Sequence, residues 1–103
     1  LNTFEEYEVA AMNTRLPSAD QAYVILGLIG EVGELYSKMA KSIRDEALVP
    51  PEDAKKEIGD ILWFLAALCR DFDTSLSEVA EMNIKKLADR AKRKTLQGSG
   101  DNR

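Results

Sequence analysis

The sequence contains no histidine, one cysteine, three prolines and no long apolar run. With Cys69 as its sole thiol, the chain forms no internal disulfide, which points to a reducing compartment. Its apolar neighbours mark Cys69 as a buried spectator. Zinc and copper sites lack their usual donors here, and the Glu-x-x-His motif of di-iron bundles is excluded. The longest apolar stretch, Ile61 to Cys69, falls far short of the ~20 residues that span a bilayer. Nothing at the start resembles a secretory signal. No membrane partner and a cytoplasmic location are therefore expected. A basic surplus is also lacking: the formal net charge of -4 argues against a binder of nucleic-acid polymers.

What the chain does contain suits one core. Its 103 residues are 45% hydrophobic and 31% charged, a composition that folds, and the length predicts a single domain over residues 1–103. The charges are sorted. Asp45, Glu46, Glu52, Asp53, Glu57 and Asp60 cluster in the middle, whereas Lys85, Lys86, Arg90, Lys92, Arg93 and Lys94 crowd the end. Separate acidic and basic faces suit a metal held beside a phosphate. The sequence opens on Leu1 rather than Met, so further residues are expected ahead of it.

Helix signals recur four times, uninterrupted by strand-like alternation, repeats or low-complexity tracts. Thr3 to Glu6 (T-x-x-E) predicts a capping box opening a first helix that runs to about Asn13. Leu16-Pro17 breaks the pattern, and Ser18 to Gln21 (S-x-x-Q) predicts the start of helix two. Along it, Ala22, Ile25, Ile29, Val32, Tyr36, Met39 and Ile43 recur by three and four up to about Arg44, the stripe of a helix buried in a bundle. Pro50-Pro51 supplies a first-turn proline for helix three, from about Pro51 to Asp71. Ile58, Ile61, Leu65, Leu68 and Phe72 form one stripe of it, and Leu62, Trp63, Phe64, Ala66 and Ala67 leave almost no polar face beyond Asp60. Such a helix needs cover on several sides and is expected at or near a subunit interface. Ser75 to Glu78 repeats the capping pattern before helix four, from Ser75 to about Lys92. The Gly-Ser-Gly tail, 98–103, is expected to be flexible unless a ligand or neighbouring subunit orders it. The fold class is all-α: an antiparallel four-helix bundle-like protomer that oligomerises through buried helices.

Two carboxylate pairs carry the chemistry. Glu31 and Glu34, like Glu57 and Asp60, are spaced i,i+3, which sets each pair on one helix face. In an antiparallel hairpin turning between Asp45 and Glu46, the pairs face each other to within roughly 5 Å along the axis. Clustered carboxylates raise each other's pKa unless a cation neutralises them. An all-oxygen set suits Mg²⁺, with Mn²⁺ as a substitute, bound through carboxylates and substrate phosphates. An E-x-x-E on a helix is most often solvated surface. Here Glu31 shares a row with Val24, Leu28 and Leu35, and Glu57 with Asp60 and Phe64, so both pairs border apolar stripes where unpartnered charge is costly.

Gly27, Gly30 and Gly33 surround the first pair and Gly59 splits the second. Each interior helical glycine costs about 1 kcal/mol relative to alanine, which close helix approach or room for a nucleotide would explain. On helix four, Asn83, Lys86 and Arg90 share a side. Alone they would be a solvated face; beside an acidic site, the two cations suit phosphate oxygens. Trp63, one turn beyond Asp60, is either core, the commoner role, or a stacking surface for a base.

Taken together, G-L-I-G-E-V-G-E (27–34), K-K-E-I-G-D-I-L-W-F (55–64) and N-I-K-K-L-A-D-R (83–90) resemble the MazG-like all-α nucleoside triphosphate pyrophosphohydrolases, whose signature is E-x-x-E followed after a loop by E-x-x-D. The likeness runs from helix two to the end of helix four. It implies hydrolysis of an NTP or dNTP to the monophosphate and pyrophosphate, with Mg²⁺ held by Glu31, Glu34, Glu57 and Asp60. It also implies that Lys86 and Arg90, with Asn83 beside them, meet the phosphates, and that the protein forms a homodimer or dimer-based tetramer. Glu31 and Glu34 are the expected catalytic carboxylates, Glu34 deprotonating the water that attacks the α-phosphorus. The rivals are a dUTP- or dCTP-directed pyrophosphatase of the same fold and a noncatalytic helical-bundle interaction protein.

Overall fold

The computed structural model describes residues 3–93; Lys94 and the tail 98–103 lie outside them. Four helices form: α1 (Phe4–Met12), α2 (Gln21–Asp45), α3 (Pro51–Asp71) and α4 (Leu76–Lys92). Among the described residues there is no strand. The Thr3 hydroxyl accepts a hydrogen bond from the Glu6 N–H at 3.1 Å, and Ser75 does the same for Glu78 at 3.1 Å. Pro51 occupies the first turn of α3. These starts fall where the sequence puts them.

The start of α2 does not. Ser18 lies in a turn closed by the Ala19 N–H donating to the Leu16 carbonyl at 2.9 Å. Asp20 caps α2 instead, its Oδ1 accepting from the Tyr23 N–H at 2.9 Å. Aspartate caps at least as well as serine, so the later start costs nothing locally. Helix α2 ends on Glu46 in the left-handed region, φ 53°.

Helices α2 and α3 form an antiparallel hairpin, and α3 also packs on α1 and α4. Among the described residues α2 makes no packing contact with α4, so the fold is organised around α3. These three neighbours bury Phe64, Ala66, Ala67 and Cys69, whereas Ile58, Leu65 and Phe72 of the stripe named in the sequence stay exposed. One core cluster joins Val24, Phe64 and Ala67, with Met12, Leu28, Trp63 and Leu68 against it. A second joins Ala66, Cys69 and Leu76, with Tyr7, Met12 and Leu62.

The stripe expected to bury α2 is turned outward. Ile29 is 64% exposed, Tyr36 72% and Ile43 79%, and Ile25, Val32 and Met39 are exposed as well. The row that meets α3 is Val24, Gly27, Leu28, Glu31 and Lys38. Gly27 fits this choice: a Cβ there would lie 2.4 Å from the Phe64 ring, so the glycine lets the helices approach closely on this face. Gly30, Gly33 and Gly59 face open space and need another explanation.

Helix α1 braces the far end. Buried Glu8 accepts from the Leu76 N–H at 2.8 Å and from Arg70 Nε at 3.0 Å, joining the end of α3 to the start of α4. Arg15 donates to the Ala19 and Ala67 carbonyls at 2.8 and 3.3 Å and pairs with Asp71 at 3.0 Å. No helix among the described residues is long and apolar enough to cross a membrane.

Candidate active site

The hairpin register brings the acids together. With Val24 packed on Phe64 and Ala67, two further turns along α2 carry Glu31 to the level of Glu57 and Asp60. Carboxylate oxygens of Glu31, Glu57 and Asp60 all lie within 4.8 Å of one another. Glu57 is only 8% exposed, Glu31 is half-buried and Asp60 is open to solvent. Two oxygens, Glu31 Oε2 and Glu57 Oε2, are buried with no donor facing them. A shared proton, an ordered water or a cation satisfies acceptors placed in this way.

Titration follows from that geometry. The Glu31 carboxyl is pushed up to about 7, first because a hydrogen bond to Glu57 favours its protonated form, then through burial and the charges of Glu34, Asp60 and Glu57. Glu57 moves the other way. The Lys38 ammonium, 3.0 Å from Glu57 Oε1, holds it below the usual carboxylate value, helped by the hydrogen bond with Glu31. The pair thus shares one proton, Glu31 holding it and Glu57 charged. Glu34 is exposed and outside the tight trio, yet its charge contributes to raising Glu31.

An all-oxygen set with two orphaned buried acceptors fits a hard divalent ion of the Mg²⁺ or Mn²⁺ kind. Beside it, Tyr23, Glu31, Asp60, Trp63 and Phe64 line an open cleft of about 340 Å³. Trp63 stands edge-on to Phe64, centroids 5.1 Å apart, and its indole N–H donates to the Ala11 carbonyl and Thr14 hydroxyl at 3.1 and 2.8 Å. Trp63 is therefore both core and cleft wall. Tyr23, whose ring centroid lies 6.0 Å from that of Phe64, supplies a second aromatic wall.

Asn83, Lys86 and Arg90 do not line this cleft. Asn83 is exposed, Lys86 half-buried and Arg90 buried, all on α4, which packs on α1 and α3. Sequence reading missed Tyr23 and Lys38. Lys38 was legible: it stands one turn beyond Glu34 and two beyond Glu31 on their face of α2. Tyr23, exposed at the start of α2, carried no comparable signal.

Residues 20–95 match the family model of the MazG nucleotide pyrophosphohydrolase domain. The chain is also 38% identical over 109 aligned positions to the "Gene 37 protein" of Mycobacterium phage L5, an alignment covering 94% of this chain and 96% of that protein. No solved structure matches significantly. With the family model spanning most of the chain and Glu31 of the E-x-x-E segment facing Glu57 and Asp60 of the E-x-x-D segment across α2 and α3, the protein belongs to the MazG nucleotide pyrophosphohydrolase family.

Proposed function

We propose that the protein hydrolyses nucleoside triphosphates, ribo or deoxy, to the monophosphate and pyrophosphate, with Mg²⁺ held by Glu31, Glu34, Glu57 and Asp60. The observation that carries this reading is the buried, donorless Oε2 of Glu57 inside a trio of carboxylates within 4.8 Å. A noncatalytic acidic patch has no reason to bury it. A divalent ion held at the trio would neutralise charge on phosphate oxygens and acidify water.

The chain's own residues do the rest. Glu57 and Asp60 would hold the ion, Glu31 would join them on losing its proton, and exposed Glu34, at the edge of the set, would also take the proton of the attacking water. The Tyr23 and Trp63 rings border the space beside the acids and suit the flat faces of a nucleobase. Lys86 and Arg90, with Asn83, are assigned to the phosphates by family likeness alone: none of them lines the cleft, and Arg90 is buried within the chain. The exposed apolar stripe of α2 supports a homodimer or dimer-based tetramer: a soluble monomer rarely leaves so many large apolar side chains on one face. The lone buried thiol supports a reducing, cytoplasmic setting.

Pyrophosphate release from a panel of NTPs and dNTPs, with and without Mg²⁺, tests the activity. Mg²⁺-dependent release is expected; no release from any of them would remove the enzymatic reading. For the base, Glu34→Gln should bind the ion and lose hydrolysis, and full activity in that variant would reassign the role.

A further inference from the structure

Lys38 reaches across from α2 to Glu57 of α3, nineteen residues away, and its Nζ lies 3.0 Å from Glu57 Oε1. The partners are unequally placed: the lysine side chain is 40% exposed, that of Glu57 10%. One end of the pair is fixed and the other is free to swing on a four-carbon stem. We propose that Lys38 is a tethered counter-ion that holds Glu57 while the acid trio lacks a cation, yields Glu57 to an arriving divalent ion, and then pairs with the polyphosphate chain of the substrate. This inference rests on the metal-site reading above.

Displacement follows from charge. An ammonium and a divalent ion on one carboxylate stand a few ångströms apart and repel, most strongly where water is excluded. Glu57 Oε2 is buried without a donor, so Lys38 satisfies one oxygen of this carboxylate and leaves the other to a second partner. The ammonium has somewhere to go. Gly30, Gly33, Glu34, Ser37, Lys38 and Lys41 line an open groove along α2, and a Cβ added at Gly30 or Gly33 meets no heavy atom within 4 Å. Those glycines, unexplained by helix packing, keep one wall of the groove at backbone level. Lys41 stands three residues beyond Lys38 on the same side, giving two point charges along the groove, an arrangement that suits an extended polyanion.

Mn²⁺ binding without nucleotide, followed by inorganic tripolyphosphate binding in the presence of Mn²⁺, separates the two halves of the proposal. The variants are Lys38→Met and, as a control removing the same charge, Lys55→Met, whose lysine pairs with exposed Glu52 at 2.9 Å. Lys38→Met is expected to bind Mn²⁺ about fivefold tighter than wild type and, once loaded, tripolyphosphate about fivefold more weakly; Lys55→Met should change neither by more than about twofold. Unchanged or weaker Mn²⁺ binding by Lys38→Met would overturn the proposal, and unchanged tripolyphosphate binding would overturn its second half. Failure of wild type to bind Mn²⁺ would instead remove the metal-site reading beneath it. Melting curves confirm that each variant folds, and Lys38→Gln carries the same test should the methionine variant not fold.

Discussion

At one end of the α2–α3 hairpin, Val24, Phe64 and Ala67 close a dry contact with a glycine at its tightest point. Two helical turns along, or about 10 Å, the same two helices face each other with Glu31, Glu57 and Asp60. The first contact is what an apolar sequence does unaided. The second is opposed by its own chemistry: like charges meet, one carboxyl must keep a proton, and two buried oxygens lack donors. The comparison teaches a division of labour along one pair of helices. Packing at the aromatic end fixes the backbone separation, and the acid end uses that separation to keep carboxylates where they would not stay by themselves.

If that division holds, substitutions at the two ends have opposite signatures. Glu57→Gln should lower the rate of triphosphate hydrolysis by about 10²- to 10³-fold, the scale of removing one group that organises transition-state charge. The same variant should melt no lower than wild type when metal-free. Phe64→Ala should do the reverse, lowering stability by about 3–4 kcal/mol through lost burial and a cavity between the helices, measured by urea unfolding. The glycines sharpen the contrast at smaller scale. Gly27→Ala would drive a Cβ into the Phe64 ring and should cost about 1–3 kcal/mol, whereas Gly33→Ala, in open space, should gain about 0.5–1 kcal/mol of helix propensity.

The acid end also has a signature in pH. Because Glu31 sits at about 7 when folded against an ordinary 4.5, the folded metal-free protein holds a proton that the unfolded chain has already released between those values. Its stability should therefore fall as pH rises from about 4.5 to about 7. Glu31→Gln should flatten that part of the melting-temperature profile; an unchanged slope would place the strain elsewhere.

Much of this was legible in the sequence, because local chemistry settles it. Thr3 and Ser75 cap where their hydroxyls can reach a free N–H, Pro51 opens α3, and a short turn between two helices sets the level at which Glu31 meets Asp60. The side of α2 that packs inward was not legible. Both rows are apolar at helical spacing, and periodicity alone does not say which one meets α3. Gly27 held that information, but only the Phe64 ring above it makes the glycine meaningful. The displaced cap has a similar origin, since Ser18 and Asp20 both offer an oxygen and the turn at Leu16–Ala19 selects the second. Lys38 escaped notice for a different reason: a search for ligands collects acids, and the cation that balances them is read as surface.

The account stands or falls on whether the acid end is strained for want of a cation. Melting temperature of the metal-free protein, titrated with Mg²⁺ in wild type and in Glu57→Gln, measures this directly. Wild type should rise steadily with Mg²⁺ through the millimolar range, as binding to the folded state alone requires, while Glu57→Gln should stay flat. A wild-type melting temperature indifferent to Mg²⁺, or an equal rise in both proteins, would show that the carboxylates share their space for some other purpose.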